Sequence, residues 1–349
     1  MFGTVLACWL STPLLLGVAT PDQTWLNTRS YWLLGVVLAV LAGAYVVGRL
    51  LRKQPEGTVH PALARAFNER IRAWWMMAAI LVAGCLLGYH ATVFLFFLVS
   101  FWALREFITM TPTRRSDHRT LFWVFFVIAP AHYVLVGMGE QYYQVYSTMI
   151  PVFGWFALPA RIAFSGDAKR FLERSAKILA GLIICVYALS YAPALLDLTL
   201  EVRTEGGELT PWTGSRAGLL FYFVLLVQLS DVLQYAWGKL IGRHVIAPNI
   251  NASRTWEGFC GGVASTTVFG VLLYWVTPFG VWGSACMAMV VAVMGFAGGM
   301  TMSAIKRDRG VKDYGTLIQG HAGVLDRIDS ICFAAPVFFH LAPLISRIA

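Results

Sequence analysis

Residues 279–300 read FGVWGSACMAMVVAVMGFAGGM, a stretch without a single Asp, Glu, Lys or Arg. About 20 such residues in a helix cross the hydrocarbon core of a bilayer. Lipid offers no hydrogen-bond partners to a backbone, so a helix, which satisfies its own backbone groups, is the form that this stretch takes there. The sequence therefore predicts a membrane-spanning helix.

The same character returns along the whole chain. Of the 349 residues, 58% are apolar and only 13% are charged, which excludes a water-soluble globular protein with a charged surface. The pattern predicts an all-α, polytopic transmembrane helical bundle of about 11 spans, or 9 if the joined pairs 73–108 and 258–300 are re-entrant or tilted. The first run, near residues 3–19, lacks the preceding basic region of a signal peptide and is expected to be retained as a span. The further runs lie near residues 3–19, 30–50, 73–89, 90–108, 121–138, 143–160, 178–198, 217–238, 258–277 and 329–347.

The basic residues predict the topology. They concentrate in segments that are each separated from the next by two apolar runs, so all of these segments fall on one side of the membrane, which the positive-inside rule makes the cytoplasm. Topology thus accounts for the excess of 27 Lys and Arg over 18 Asp and Glu, and no nucleic-acid partner is expected. We expect a bacterial inner-membrane protein whose chemistry faces the cytoplasm. The segments are 49–72, 114–119, 161–177, 239–254 and 306–327.

The chain divides at the linker that follows the second run. Pro55, Gly57 and Pro61 interrupt any helix there. Residues 1–72 are expected to form an N-terminal pair of spans with a basic cytoplasmic linker. Residues 73–349 are expected to form one membrane-embedded domain, with charged segments at 228–262 and 299–330.

The last charged stretch, Thr301 to Asp329, is unusual in interleaving carboxylates with cations. Such a mixture suits a polyphosphate and its divalent metal, since the cations neutralise phosphate oxygens while the carboxylates hold the metal. A solvated, salt-bridged loop is the alternative. The residues concerned are Lys306, Arg307, Asp308, Arg309, Lys312, Asp313, His321, Asp326, Arg327 and Asp329.

Asp326 and Asp329 are three residues apart where the last apolar run begins. If that helix starts near Leu325, both carboxylates project from one face of its cytoplasmic end and form a metal seat. As an alternative, they are first-turn acids that offset the helix dipole. Arg327 between them is then either a phosphate clamp or an interfacial anchor.

A second constellation spans residues 230–262. Asp231 lies inside a span, where an ionisable group costs about 2.5 to 3.5 kcal/mol, so it needs a cavity or a partner such as Lys239 or Arg254. Thr255 and Glu257 stand where the next helix begins, which favours either a phosphate site or an ordinary helix cap.

Glu106 and Arg105 lie at the cytoplasmic end of the fourth run. Glu106 is open to two interpretations: a buried partner for a basic residue of the site, or half of an interfacial pair with Arg105.

Both segments resemble a known family, the phosphatidate cytidylyltransferases or CDP-diacylglycerol synthases. The long charged match resembles that family's signature, and the upstream match resembles its second shared segment; together they cover residues 228–340. The signature is Ser303-x-x-Lys306-Arg307, Lys312-Asp313-x-Gly315 and Gly320-His321-x-Gly323-x-x-Asp326-Arg327-x-Asp329; the upstream segment is Asp231-x-x-x-Tyr235-x-x-Gly238-Lys239-x-x-Gly242 with Thr255-Trp256-Glu257-Gly258.

The resemblance implies attack of a phosphatidate oxygen on the α-phosphorus of CTP, which gives CDP-diacylglycerol and pyrophosphate with the help of Mg²⁺. The resemblance is also compatible with a second bound cation and with a related lipid phosphate as the substrate. It is compatible, too, with a homodimer surrounded by membrane lipids. By motif, the metal ligands would be Asp326, Asp313 and Asp329; the catalytic group would be Asp326, Lys306, Arg307, Asp313 and His321; and substrate would be bound by Asp231, Tyr235, Lys239, Arg254, Thr255, Glu257, Ser303, Lys312 and Arg327.

This sequence departs from the family pattern at a metal position. The family commonly has an acidic residue four positions before the Ser-x-x-Lys-Arg motif and a Glu just before its Ser; here these positions are Gly299 and Met302. The departure motivates an alternative: a weakly active or inactive paralogue that binds a lipid phosphate or a partner enzyme. A transporter fits less well, because the ionisable groups lie at one face rather than in mid-membrane pairs.

Overall fold

The computed structural model describes residues 28–53, 75, 78–110, 114–204, 206–311 and 323–348. Most of these residues lie in helices, as the apolar runs predict, because helices satisfy the backbone within lipid. The expected span at 3–19 and the linker at 54–74 lie outside the described residues. The helices are α1 (Thr28–Lys53), α2 (Ala78–Leu87), α3 (Tyr89–Met110), α4 (Arg115–Gly137), α5 (143–163), α6 (Phe171–Ala194), α7 (Arg216–Leu240), α8 (Trp256–Leu272), α9 (Gly280–Asp308) and α10 (Leu325–Ile348).

Within the described residues, six helices are long and apolar enough to cross a membrane: α3, α4, α6, α7, α9 and α10. The predicted class, a helical membrane protein, is confirmed. The predicted number of 9 to 11 spans is not settled by these six helices and stays a prediction.

Glycines let the helices of the C-terminal half approach closely. A Cβ at Gly262 of α8 would lie 2.7 Å from the Gln234 Cα of α7, and one at Gly298 of α9 would lie 2.9 Å from the Asp329 carbonyl oxygen of α10. Any larger residue would force these helix pairs apart. This close packing brings the two signature segments side by side.

Two short hairpins depart from the all-α prediction. Strands β1 (Glu201–Arg203) and β2 (Leu209–Pro211) pair before α7, and β3 (Val245–Ala247) and β4 (Asn251–Thr255) pair between α7 and α8. Strands this short show no alternation that a sequence pattern could reveal. The second hairpin matters for the site because it carries Arg254 back against α7.

Four of the predicted basic segments meet at one end of the bundle. Segment 114–119 joins 161–177 through Arg174 and Asp117, and 161–177 joins 306–311 through Glu173 and Arg309. Segment 239–254 reaches 306–311 because Arg307 Nε donates to the Ile250 carbonyl oxygen at 3.1 Å. We call this region, residues 114–119, 161–177, 239–254, 306–311 and 323–327, the basic end.

The opposite end of the bundle has its own contacts. Glu140, after α4, accepts hydrogen bonds from Thr199, and Asp197 lies 3.5 Å from Arg216. The sequence predicts that the loops lie on two sides of the membrane. In the structure, the loops of the basic end contact one another, and the loops of the opposite end do the same.

Candidate active site

Asp326 lies in the first turn of α10 and is held from two directions. Its Oδ1 is 2.7 Å from Lys306 Nζ of α9, and its Oδ2 accepts the Gly323 N–H at 3.1 Å. The Asp326 side chain is 6% exposed and that of Lys306 is 14% exposed. The helix begins at Leu325, the start that the proposed metal seat requires.

Asp231 forms the second charged pair, one helix away. Arg254 Nη2 of β4 donates to its Oδ1 at 3.1 Å, and Ser330 Oγ of α10 donates to its Oδ2 at 2.6 Å. Arg254 Nη1 also donates to Gln234 Oε1 at 3.0 Å. Arg254, rather than Lys239, is therefore the partner that compensates the charge of Asp231 within the span.

Gly299, where the family pattern has an acid, faces this second pair. A Cβ at Gly299 would lie 3.4 Å from Arg254 Nη2 and 3.9 Å from Ser330 Oγ. The neighbouring Met302 is fully buried in the core. The missing carboxylate therefore belongs to the same cluster as Asp231 and Arg254.

Asp329 lies between the two pairs. Its Oδ1 accepts the Ser330 N–H at 2.7 Å, and Asp231, Lys306 and Asp326 lie near enough to act on it electrostatically. Carboxylate oxygens are the donors that Mg²⁺ prefers, and Mg²⁺ commonly binds through one or two carboxylates while keeping several waters. Among the residues that the structure describes, no three carboxylate, His or Cys side chains gather closely enough to hold a metal ion. Asp326 and Asp329 are of the ligand type that Mg²⁺ prefers, but the described residues alone do not complete a metal site.

Ser303 and Arg307 fasten the β3–β4 hairpin to α9. Ser303 Oγ donates to the Gly299 carbonyl oxygen at 2.7 Å and accepts from Asn251 Nδ2 at 3.2 Å. Arg307, exposed at the helix end, donates through Nε to the Ile250 carbonyl oxygen. This one bond uses only the Nε–H of the exposed guanidinium.

Thr255 and Glu257 close the hairpin onto α8. Thr255 Oγ1 accepts the Gly258 N–H at 3.1 Å, which is a conventional N-cap. Glu257 accepts the backbone N–H groups of Arg243 and His244 at 3.1 and 3.2 Å. The capping alternative describes Thr255, whereas Glu257 ties α8 to the backbone that follows α7.

Three other predicted binding residues lie near the cluster. Lys239 Nζ is 5.8 Å from the centre of the Tyr235 ring, a cation–π distance, and Tyr235 is 42% exposed. The Arg327 carbonyl oxygen accepts from Gln228 Nε2 at 3.3 Å. The predicted residues Lys312, Asp313 and His321 lie outside the described residues.

Sequence reasoning missed two members of this region and misinterpreted a third. Gln234 and Ser330 orient the Asp231–Arg254 pair, and neither differs in sequence from an ordinary polar residue in a span. Glu106 matches neither of its two interpretations, because its carboxylate accepts the backbone N–H groups of Val324 and Leu325. Only a three-dimensional structure reveals a contact between residues so far apart in the chain.

A third charged group at the basic end lies away from this cluster. Arg174 and Asp117 are 5% and 1% exposed and form a bidentate pair, and Arg174 also donates to the carbonyl oxygens of Asp167 and Lys169. Arg114 donates to both Asp167 oxygens, at 3.0 and 2.8 Å, and holds the pKa of that carboxyl at about 2. This group joins α4 to α6.

The chain is similar to known proteins over most of its length. A model of the cytidylyltransferase family matches residues 68–345. An uncharacterized protein of Escherichia coli strain K12, YnbB, is 33% identical over 310 residues, which cover 87% of this chain and 94% of that protein. The phosphatidate cytidylyltransferase of Aquifex aeolicus is 28% identical over 217 residues, 62% of this chain and 78% of its own. That of Staphylococcus aureus strain COL is 30% identical over 155 residues, 44% and 56% respectively.

The match to the family model covers both charged pairs as well as α3 and its Glu106. The apolar helices make the chain an integral membrane protein. It belongs to the cytidylyltransferase family, as a nucleotidyltransferase of the phosphatidate cytidylyltransferase kind.

Proposed function

We propose that the protein transfers the cytidylyl group of CTP to phosphatidate. A phosphate oxygen of the lipid forms a bond to the α-phosphorus, the bond between the α- and β-phosphates breaks, and pyrophosphate leaves with the electron pair. The products are CDP-diacylglycerol and pyrophosphate. The relatives named as phosphatidate cytidylyltransferases support this choice of lipid.

The observation that carries the proposal is the gathering of two cation–carboxylate pairs at one end of the bundle. Lys306–Asp326 and Arg254–Asp231 come from four different elements, and Asp329 and Ser330 lie between them. An exclusively structural contact would not need an additional carboxylate there. When a phosphate binds the Lys or Arg of such a pair and a cation binds its carboxylate, each side chain exchanges one partner for another and no charge is left uncompensated.

The residues divide the work by charge. The nucleophile is already anionic, so the reaction depends on alignment and charge neutralisation rather than on a strong base. Lys306, Arg254 and Arg307 are proposed to screen the repulsion between lipid phosphate and nucleotide, with Lys312 and Arg327 assisting. His321 is proposed to donate to a phosphate or to orient its own glycine-rich loop.

Mg²⁺, when bound, would neutralise charge on the reacting phosphates, and Asp326, Asp329 and Asp313 are the residues proposed to hold it. Asp231 is tied to Arg254 and Ser330 and is proposed to position that guanidinium. A second cation would lack a side-chain carboxylate at position 299, because Gly299 offers only its backbone carbonyl oxygen, which accepts from Ser303 Oγ.

The proposal is tested by turnover of labelled CTP with phosphatidate in mixed micelles, with and without Mg²⁺. Metal-dependent formation of CDP-diacylglycerol is expected, and Asp326→Asn should abolish it while the protein stays folded. Asp308→Asn is the matched control, since Asp308 is 66% exposed at the end of α9 and pairs with Arg309 rather than with Lys306. Absence of CDP-diacylglycerol formation by wild type would refute the transfer, and equal activity of Asp326→Asn and wild type would refute the role of Asp326.

A second candidate is binding without turnover. Gly299 favours it, because the position of a family metal ligand here faces Arg254 with no carboxylate. The same assay separates the two functions: saturable CTP or phosphatidate binding without product above background supports the binding role.

We also propose that the basic end faces the cytoplasm and that the chain crosses the bacterial inner membrane 9 to 11 times, the lower number applying if the joined apolar runs re-enter. The concentration of cations at that end supports this orientation. Lys169→Cys at the basic end should be shielded from an impermeant maleimide in spheroplasts, whereas Thr204→Cys at the opposite end should react. Reversed labelling would contradict the orientation.

A homodimer is proposed from the family resemblance and is tested by mass measurement in detergent.

A further inference from the structure

The first turn of α10 is capped by a residue from another helix. Glu106, in the last turns of α3, accepts the Val324 N–H through Oε1 at 3.1 Å and the Leu325 N–H through Oε2 at 2.8 Å. The Glu106 side chain is only 4% exposed. A carboxylate is therefore buried against the backbone that introduces Asp326.

The sequence of α10 explains why an outside acceptor is needed. The first N–H groups of a helix have no partner within it, and a Ser, Thr, Asp or Asn just before the helix commonly accepts one. Here that position is Val324, which has no acceptor in its side chain. Glu106 supplies two acceptors and places a negative charge at the positive end of the helix dipole.

The contact is coupled to the proposed site through one short turn. Asp326 follows Leu325 directly, its Oδ2 accepts the Gly323 N–H, and its Oδ1 contacts Lys306. Residues 323–326 are consequently held by Glu106 of α3 on one side and by Lys306 of α9 on the other. A shift of this turn moves the Asp326 carboxylate with it.

Glu106 itself is not suited to bind substrate. Its two oxygens occupy the amides that would otherwise receive a phosphate at this helix end, and its charge repels an anion there. We infer that Glu106 is a positioning residue, which fixes the start of α10 so that Asp326 meets its cation and nucleotide in one geometry. The inference rests on the proposed function.

The decisive variants are Glu106→Gln and Glu106→Asp in the full-length protein. Glutamine keeps the size but has one acceptor oxygen, and its NH₂ group is turned toward an N–H donor. Aspartate keeps the charge and both acceptors on a shorter side chain. Glu140→Gln is the matched control, because Glu140 also accepts a backbone N–H, from Thr199 at 3.0 Å, at the opposite end of the bundle.

In kinetics, Glu106→Gln should lower kcat by about 10- to 100-fold, the range typical when a partner that orients a metal ligand is removed. The Mg²⁺ concentration for half-maximal rate should rise, while KM for phosphatidate stays unchanged. Glu106→Asp should recover part of kcat, and Glu140→Gln should match wild type. Equal losses in kcat and in the amount of folded protein, with normal Mg²⁺ dependence, would overturn the inference.

Two readouts do not need turnover. Hydrogen exchange of the backbone amides in residues 323–330 should accelerate in Glu106→Gln and not in Glu140→Gln. Binding of Mn²⁺ alone, followed by its electron paramagnetic resonance signal, should weaken in Glu106→Gln. If wild type does not turn over phosphatidate, the proposed function fails, and these two measurements still decide the role of Glu106. If Glu106→Gln does not fold, Glu106→Asp is measured by the same methods: the shorter carboxylate should accelerate exchange in residues 323–330 and weaken Mn²⁺ binding together, and a change in one without the other would refute the role.

Discussion

The basic end contains two kinds of cation–carboxylate pair that look alike in sequence and differ in surroundings. Arg174–Asp117 is 5% and 1% exposed, and the guanidinium also donates to Ser116 and to two carbonyl oxygens. Arg254–Asp231 is 19% and 29% exposed, with one amide and one hydroxyl as its further partners. The first pair is saturated, whereas the second keeps N–H groups that its two bonds do not use.

This difference separates a structural pair from a pair that can exchange partners. Removing one member of a buried pair whose donors are all occupied strongly lowers the folding free energy, because the other member remains as an uncompensated charge. A partly exposed pair next to another carboxylate can accept a phosphate and a cation instead. The saturation of the donors, rather than the presence of charge, is the feature that distinguishes Arg174–Asp117 from Arg254–Asp231, the pair that we propose for the chemistry.

The largest expected effect is on stability, in Arg174→Ala. Removal of Arg174 leaves Asp117 buried without its charge partner and should cost about 3 to 5 kcal/mol of folding free energy. Thermal denaturation in detergent should show a strongly lowered Tm, or no folded protein should be recovered. Arg170→Ala is the control, since Arg170 is 79% exposed and 3.8 Å from Glu173. If the two variants were equally stable, the structural role of Arg174 would be wrong.

The next effect is on activity, in Arg254→Ala. Removing one preorganised donor to a reacting oxyanion commonly costs at least about a hundredfold in rate. Arg254→Ala should also lower Tm, because it leaves the Asp231 carboxylate within the span without its cation, so the rate is compared per amount of folded protein. Arg254→Lys should recover less than full activity, because an ammonium cannot contact Asp231 and Gln234 as a guanidinium does. A large loss of Tm with normal specific activity would instead show that the role of Arg254, like that of Arg174, is structural.

Much of this architecture could be predicted from the sequence, because lipid forces apolar runs into helices and the positive residues group the loops. The start of α10 at Leu325 also follows from local pattern, and the cost of a charge in a span predicts a partner for Asp231 but leaves Lys239 and Arg254 as alternatives. The role of Glu106 could not be predicted, since its partners are backbone groups distant in the chain. The hairpin that delivers Arg254 could not be predicted either, because its strands are too short to show a period.

A smaller effect sharpens the comparison at Gly299. Asp introduced there faces Arg254 at contact distance and adds a carboxylate beside Asp231 and Asp329. Since carboxylate number tunes the affinity of a cation site, Gly299→Asp should lower the half-saturating Mg²⁺ concentration by about three- to tenfold. Gly299→Asn is the neutral control of equal size. If Asp and Asn gave the same Mg²⁺ titration, Gly299 would not adjoin the cation site.

The smallest effect is on the pH dependence of stability and concerns the structural group. Arg114 lowers the pKa of Asp167 to about 2, whereas an unfolded Asp titrates near about 3.9. A lowered folded pKa means that Asp167 stabilises the protein above about pH 4 and that this contribution is lost as the pH falls toward 2. The Tm difference between wild type and Asp167→Asn should therefore be constant from pH 7 to 5 and shrink below pH 4. Because Arg114 and Asp167 lie away from the Asp231–Arg254 pair, specific activity at neutral pH should be equal in both proteins. A change in the Mg²⁺ dependence of Asp167→Asn would show that the two kinds of pair are coupled rather than separate.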